Sequence, residues 1–194
     1  MRFHTVAAVF LFAAAATAQS YTIQGKVEDV QGTQNQFFLD GTVIPVFSTA
    51  LDLNLWQGQQ ALLDVVDVGS PGSPLLRIDA ATPTTEVMDM GNLRLNQTST
   101  FEVFAPAGTV AFMFLDFTDN TGFTLIPGVG GVWLLGLSPH LLAGGITGGA
   151  GVFQTTFATP NVPSLVGLSV SGQALTTAGG PWTCSNVDSR EIEQ

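Results

Sequence analysis

Basic side chains are almost missing from this sequence. Lysine occurs once, at Lys26, and arginine four times, against fifteen aspartates and glutamates, for a formal net charge of −10. Affinity for nucleic acid comes mainly from Lys and Arg neutralising phosphates, and anionic lipid surfaces recruit the same residues. Both partner classes are therefore set aside. Cysteine is as scarce: Cys184 stands alone, so no intrachain disulfide can staple the fold and stability has to come from the core. Histidine occurs only as His4 and His140. His4 falls in a leader-like stretch at the start of the chain, and one imidazole with one thiol cannot supply the usual N and S ligand set of zinc; no C-x-x-C or H-E-x-x-H spacing is present.

What the chain has in quantity is apolar and small polar residues. Hydrophobic side chains make up 45% of its 194 residues and the mean hydropathy is +0.36, enough to bury a core in one large β domain or two small ones. Residues 1–18 read as a secretory signal peptide. Arg2 and His4 form a short basic start, 6–16 an apolar stretch, and Ala16-Thr17-Ala18 an A-x-A cleavage site before Gln19. The apolar stretch is too short to span a bilayer, so the expected localisation is secreted, periplasmic or extracellular.

From Tyr21, apolar Tyr21, Ile23, Gly25 and Val27 alternate with Thr22, Gln24, Lys26 and Glu28, the period of a strand with one wet face. Turn chemistry at 31–35 and at Asp40-Gly41 sets off strands at 37–39 and 43–47. An irregular link at 50–56 then leads through Gly58 to strands at 60–68 and 75–80. Five short strands with a glycine in the first resemble a small OB-type barrel over 19–84. That resemblance rests on Gly25-Lys26-Val27 and on Leu53-Asn54-Leu55-Trp56-Gln57-Gly58-Gln59, with Trp56 as a plug of the barrel core. OB barrels bind oligonucleotides or oligosaccharides, but these strands lack the Lys, Arg and stacked aromatics of single-strand binding.

Thr82-Pro83-Thr84-Thr85 reads as a linker, after which phenylalanine and glycine-rich turns take over. Strands are expected at 92–95, 100–104, 109–117, 122–126, 132–137, 152–158, 165–176 and 187–192. Short strands between Gly/Pro turns, without helical periodicity, predict an antiparallel β-sandwich over 85–194. The run Val110-Ala111-Phe112-Met113-Phe114-Leu115 is apolar on both parities, the mark of a central strand covered on both sides. The runs 152–158 and 165–176, meeting at Pro160-Asn161-Val162-Pro163, form the organising unit, and 144–151 is a flexible glycine-rich connection. The fold class is thus all-β: a five-stranded OB-like barrel followed by a sandwich.

An ordered set of residues in the second half is familiar. It comprises Leu93-Arg94-Leu95 with 98–105, Pro106-Ala107-Gly108 before an apolar strand, Leu137-Ser138-Pro139-His140-Leu141-Leu142, and Thr159-Pro160-Asn161-Val162-Pro163-Ser164-Leu165-Val166-Gly167-Leu168 with Gln173-Ala174-Leu175. The set resembles a C-terminal β-sandwich domain of secreted, uncharacterised proteins of planctomycete-type bacteria. In that family an "IPN.P.L.G......Q" segment closes the domain and an "S.N" turn precedes the last strand, as Ser185-Asn186 does here. The resemblance implies export and a sandwich, and no catalytic residue. The charged last strand, 188–193, departs from the family pattern.

Chemistry-bearing groups are few. With the leader removed, any nucleophilic site has to run through His140, with a serine or Cys184 as its nucleophile. The carboxylate pairs Asp64/Asp67 and Asp188/Glu191 are the glycosidase candidates, yet residues three apart on a strand face opposite ways. Asp116, Asp119 and Asn120, with Gly122 nearby, offer hard oxygen ligands at a strand end and form the calcium candidate, without EF-hand spacing. The glycines at 128–131 do not fit G-x-G-x-x-G, and Asn96-Gln97-Thr98 matches a glycosylation sequon without consequence in a bacterial chain. Trp182, in Gly179-Gly180-Pro181-Trp182-Thr183, is the loop aromatic that can stack on a sugar or protein. The function expected is non-catalytic binding or a structural role outside the cytoplasm, with extracellular protein or carbohydrate as partner. The alternative is a secreted hydrolase of glycan or ester using His140 or a carboxylate pair.

Overall fold

The computed structural model describes residues 19–29, 36–70, 72–117, 122–136 and 138–194. The leader at 1–18, the turn at 31–35 and two of the calcium candidates, Asp119 and Asn120, lie outside the described residues. The chain is all-β; among the described residues the helical elements are two single 3₁₀ turns, Leu53–Leu55 and Pro163–Leu165. None is a helix long and apolar enough to cross a membrane.

The first half builds one six-stranded sheet from β1 (Ser20–Gly25), β2 (Val27–Asp29), β3 (Phe37–Leu39), β4 (Pro45–Phe47), β5 (Ala61–Asp67) and β6 (Leu76–Pro83). Their order is β1-β5-β6-β4-β3-β2. The two end strands are halves of one bent strand, joined through Lys26, so the sheet curls back to its own beginning around a core. All its pairs are antiparallel except β4 with β6. Gly25 stands next to the bend, and a Cβ there would lie 2.8 Å from Leu39 Cδ1, so a larger residue would have to move that side chain.

The second half contributes β7 (Met88–Met90), β8 (Leu93–Arg94), β9 (Thr98–Phe104), β10 (Val110–Asp116), β11 (Val129–Gly130), β12 (His140–Ile146), β13 (Val152–Ala158), β14 (Ser169–Thr177) and β15 (Trp182–Glu193). One sheet runs β11-β15-β14-β10-β12, with β8 added on β15, and a second runs β13-β9-β7. Between them lies a core of Met88, Met90, Phe101, Val103, Met113, Leu115, Val170 and Ala174. Gly172 faces it because the sulfur of Met90 and the methyl of Met88 occupy the space a side chain would need. The other core belongs to both halves: Ile23, Leu39, Leu63 and Ile78 of the first sheet pack with Val132, Trp133, Leu134, Leu135, Cys184 and Val187, and Trp56 lies partly buried against it. The stretch 82–85 is pinned, not loose, since Thr84 N–H bonds the Gln60 carbonyl at 3.0 Å and the Gln24 amide reaches the Thr85 carbonyl at 2.6 Å.

Several local expectations change. The runs 152–158 and 165–176 do not pair with each other: β13 pairs with β9, and β14 with β10 and β15. Of the strand expected at 132–137, the described residues 132–136 are not a strand; Trp133 makes one bridge to Thr124 and the segment packs on the first sheet as a strap. Residues 144–146, read as flexible connection, belong to β12. Their glycines are there for packing, since a Cβ on Gly144 would meet the Phe112 ring at 2.5 Å and one on Gly145 the Phe153 ring at 2.3 Å. Ser185 and Asn186 lie inside the twelve-residue β15 rather than in a turn. The short β7 escaped the pattern entirely, because three residues carry no period.

Gly145→Val therefore should force the Phe153 ring aside and lower stability by about 2 kcal/mol. Gly149→Ala, where nothing lies within 4 Å, should stay within about 0.5 kcal/mol of the parent. Urea unfolding of the two variants checks the contrast.

Candidate functional site

Strands β10, β14 and β15 have one face on the core between the two sheets, and their opposite face is divided. At one end it is covered by the 132–136 strap, which has no strand ladder of its own. Buried main chain without a ladder must find other partners, and here side chains supply them. Gln173, fully buried, accepts the Leu134 N–H at 2.9 Å and donates to the carbonyls of Val132 and Ser185 at 3.0 Å each. Asp116 Oδ2 accepts the Gly136 N–H at 2.8 Å. Trp133 is thereby pressed edge-on against Phe114, ring centroids 5.1 Å apart.

The other end of the face is open and aromatic. Phe112 lies over Gly144 and meets the half-buried Trp182, centroids 5.5 Å apart and planes 31° apart. Leu141, opposite Phe114, and Ile146, opposite Val110, are 59% and 64% exposed at its border. Val129 pairs in parallel with Trp182 and also lines a cleft of about 360 Å³ whose other walls include Gln19, Tyr21, Thr22 and Leu125. Tyr21 is held there edge-on to Phe123 at 5.6 Å. Aromatic faces beside neutral hydroxyl and amide groups are suited to flat, uncharged, hydroxyl-bearing ligands. From residue 120 to residue 187 the chain contains no Asp, Glu, Lys or Arg, and β11 through β14 with the first part of β15 fall inside that stretch. A second cleft of about 190 Å³, between Phe37, Phe47 and the Leu53–Leu55 turn, has its polar groups occupied. Ser48 Oγ bonds the Ile78 carbonyl and the Ala50 and Leu51 N–H groups, and Asp52 caps the turn through Asn54.

The described residues singled out from the sequence are not brought together. Trp182 opens β15 instead of sitting in a loop, and its partner Phe112 was read only as core. Asp116 is buried and anchors the strap. Among the described residues no three His, Cys, Asp or Glu side chains gather as a metal-ligand group. His140, the first residue of β12, is exposed with its ring 5.7 Å from that of Phe117. Cys184 is buried in the first core, where burial pushes its thiol up to about 12, and β10 and β14 stand between β12 and β15. Three strand spacings, roughly 14 Å, keep His140 and Cys184 apart. Asp64 accepts the Thr22 hydroxyl, Asp67 braces Gly69 and Leu75, Asp188 is buried and Glu191 exposed, so neither carboxylate pair flanks a cleft. Phe112, Tyr21 and Gln19 were legible only through the uncharged stretch and what it borders. Compared with known protein families, curated proteins and solved structures, the chain matches none.

A charged seam lies on the opposite flank of β15. Asn186 accepts the N–H groups of Val87 and Met88 at 2.9 and 3.0 Å and donates to the Met88 carbonyl at 2.7 Å, acting as a strand for β7. Asp188, 1% exposed, accepts the Met90 N–H at 2.6 Å and pairs with Arg190, which also reaches Asp89 at 3.4 Å. Lys26 pairs nearby with Glu86 at 3.0 Å. Burial pushes the Asp188 carboxyl up to about 6 from its ordinary 3.8, against the Met90 N–H and Arg190, with Glu86 and Asp89 adding to the rise.

Between those two pH values the folded protein holds a proton that the unfolded chain has lost, so this group adds stability as pH falls through about 6 and withdraws it as pH rises. Asp188→Asn keeps a carbonyl oxygen for Met90 and removes the titration. Urea midpoints measured across this window should rise on acidification less steeply in Asp188→Asn than in the parent. Gln173→Ala, which strands three backbone groups of the strap and its support, should cost about 3 kcal/mol and red-shift the emission of Trp133.

Proposed function

We propose that this protein is a secreted, non-catalytic β-protein that binds neutral carbohydrate outside the cytoplasm through the uncharged face around Trp182. The observation that carries the reading is the coincidence of three features on one surface: the Phe112–Trp182 pair, the adjoining cleft of about 360 Å³, and a stretch of chain without formal charge. A chain of net charge −10 repels anionic polymers. Around Trp182, however, a neutral sugar meets apolar ring surface and the polar groups of Gln19 and Tyr21, while the Asp64 carboxylate next to the cleft is engaged by the Thr22 hydroxyl at 3.0 Å. Export rests on the A-x-A site before Gln19 and on the resemblance to secreted planctomycete-type proteins. The reading of 19–84 as an OB-like barrel is supported by the strand order and the single parallel pair β4–β6. That of 85–194 as a sandwich is supported by the two sheets on either side of one core.

Titration with neutral and anionic polysaccharides, followed by tryptophan emission, tests the proposal. A neutral glycan should bind with an affinity independent of salt. Trp182→Ala should weaken it by about 2 kcal/mol, roughly 30-fold, while Trp182→Phe retains most of it. Binding that ignores Trp182, or that collapses as salt is raised, would sink the reading.

A further inference from the structure

The second proposal concerns a different surface, the free edge of β13, and does not depend on what Trp182 binds. Ala105 N–H bonds the Gly151 carbonyl at 3.0 Å and Thr159 N–H bonds the Gln97 carbonyl at 2.9 Å, at the two ends of the β9–β13 ladder. Bonded pairs alternate along an antiparallel ladder, so residues 153, 155 and 157 exchange hydrogen bonds with β9. Residues 152, 154, 156 and 158 turn their N–H and C=O groups the other way. On that side the Val152 carbonyl accepts from Gly148 at 3.0 Å, and among the described residues no strand pairs with β13 beyond it.

Proteins blunt such edges with lysine, proline, bulges or covering loops. The far edge, β7, is covered by Asn186 and Asp188, and the β12 edge is broken by a register shift at Met113/Phe114. Among the described residues, seven-residue β13 has none of these devices beyond the Gly148 contact at Val152, and its register with β9 is unbroken.

Its sequence, Val152-Phe153-Gln154-Thr155-Thr156-Phe157-Ala158, sets Phe153 and Phe157 symmetrically about Thr155, with uncharged residues at the other paired positions. Two copies laid antiparallel about that residue place Gln154 opposite Thr156, edge-facing positions able to exchange N–H···O bonds, and Val152 opposite Ala158 at the ends, where the Val152 carbonyl is already taken by Gly148. The same register sets Phe153 of one copy beside Phe157 of the other, on the face where both rings already lie half-buried against the core. Charge selects the occupant. Two chains of net charge −10 can approach closely only where each is uncharged, and β13 lies in the stretch without Asp, Glu, Lys or Arg. The nearest charge is Glu102 on β9, which already accepts from the Gln154 amide at 3.0 Å. In the pair, the two Glu102 carboxylates would stand three strand spacings apart, roughly 14 Å, beyond the screening length of about 8 Å at physiological salt.

We propose that two copies of this chain associate by antiparallel pairing of β13 with β13, joining their three-stranded sheets into one six-stranded sheet with a two-fold axis at Thr155. Sedimentation velocity of the protein should show a dimer that persists, or tightens, as salt is raised. Thr156→Pro removes an edge-facing donor at a position an edge strand tolerates, and should yield a folded monomer whose urea midpoint no longer rises with protein concentration, as the parent's should. Should that variant not fold, Thr156→Lys, which keeps the backbone donor and adds a charge beside the axis, decides by the same readout. Thr155→Cys should form a disulfide-linked dimer on mild oxidation, whereas Gln154→Cys should not, because only residue 155 meets its own copy. A protein that stays monomeric at millimolar concentration, a dimer that survives both Thr156 variants, or equal cross-linking at 154 and 155 would each overturn the proposal.

Discussion

Buried side-chain amides and carboxylates that take the place of a missing strand are the interaction on which this fold depends. One face of the β14–β15 pair is covered by irregular chain and the other by the three-residue β7, and neither cover forms a ladder with the pair. Gln173 and Asp116 receive the 132–136 strap on one side, while Asn186 and Asp188 receive β7 on the other. Each unmade bond in such a place costs about 1–3 kcal/mol, and the chain has no disulfide to offset the loss. Ser185 serves the same end within the pair. It accepts the Ala174 N–H at 2.8 Å and donates to the Asn186 carbonyl at 2.6 Å, at the register shift between Gln173 and Leu175.

The two cores are coupled through these groups. The strap that Gln173 holds carries Trp133 and its apolar neighbours into the first core, so a residue of the second half positions the cover of the first. Cys184 and Val187 extend the coupling, since β15 gives one part of its length to each core. Lys26 and Glu86 fasten the same seam electrostatically at the point where the first strand bends.

Charge is unevenly distributed along the chain, and this organises its surface. Acidic residues occupy the first sheet, β7, β9 and the end of β15, while the stretch 120–187 carries none. Trp182, Val129 and β13 belong to that uncharged stretch, with Asp64 of β5 next to the cleft and Glu102 of β9 beside β13 as charged neighbours. Opposed acids occur where strands pair in the charged part, as Asp89 and Glu102 do across β7 and β9. There Arg190 and Gln154 relieve them.

Much of the fold was legible because its signals are local. Alternation in 21–28 and 152–158, the glycine at 25 and the turn residues at Asp40-Gly41 each report backbone geometry, and they placed most strands to within a few residues. The glycines of 144–151 misled, because composition alone cannot distinguish a flexible glycine from one that makes room for a ring: Phe112 and Phe153 meet Gly144 and Gly145 only through the tertiary fold. The candidate site was legible only in Trp182. Phe112 alternates with core residues and was absorbed into the same apolar run, and the groups that the fold gathers around Trp182 lie on separate elements.

By itself the sequence determined the class, through period-2 patterning, abundant turn residues and a scarcity of cysteine, histidine and basic side chains that removes whole families of chemistry. Such features depend on neighbours in the chain and need no fold to be read. Tertiary structure alone decided which face of β10 is open, that the strap rather than a strand closes the first core, and that Gln173, Asn186 and Asp188 are structural. The physical reason is that a buried polar group is defined by its partner, and here those partners lie up to about a hundred residues away.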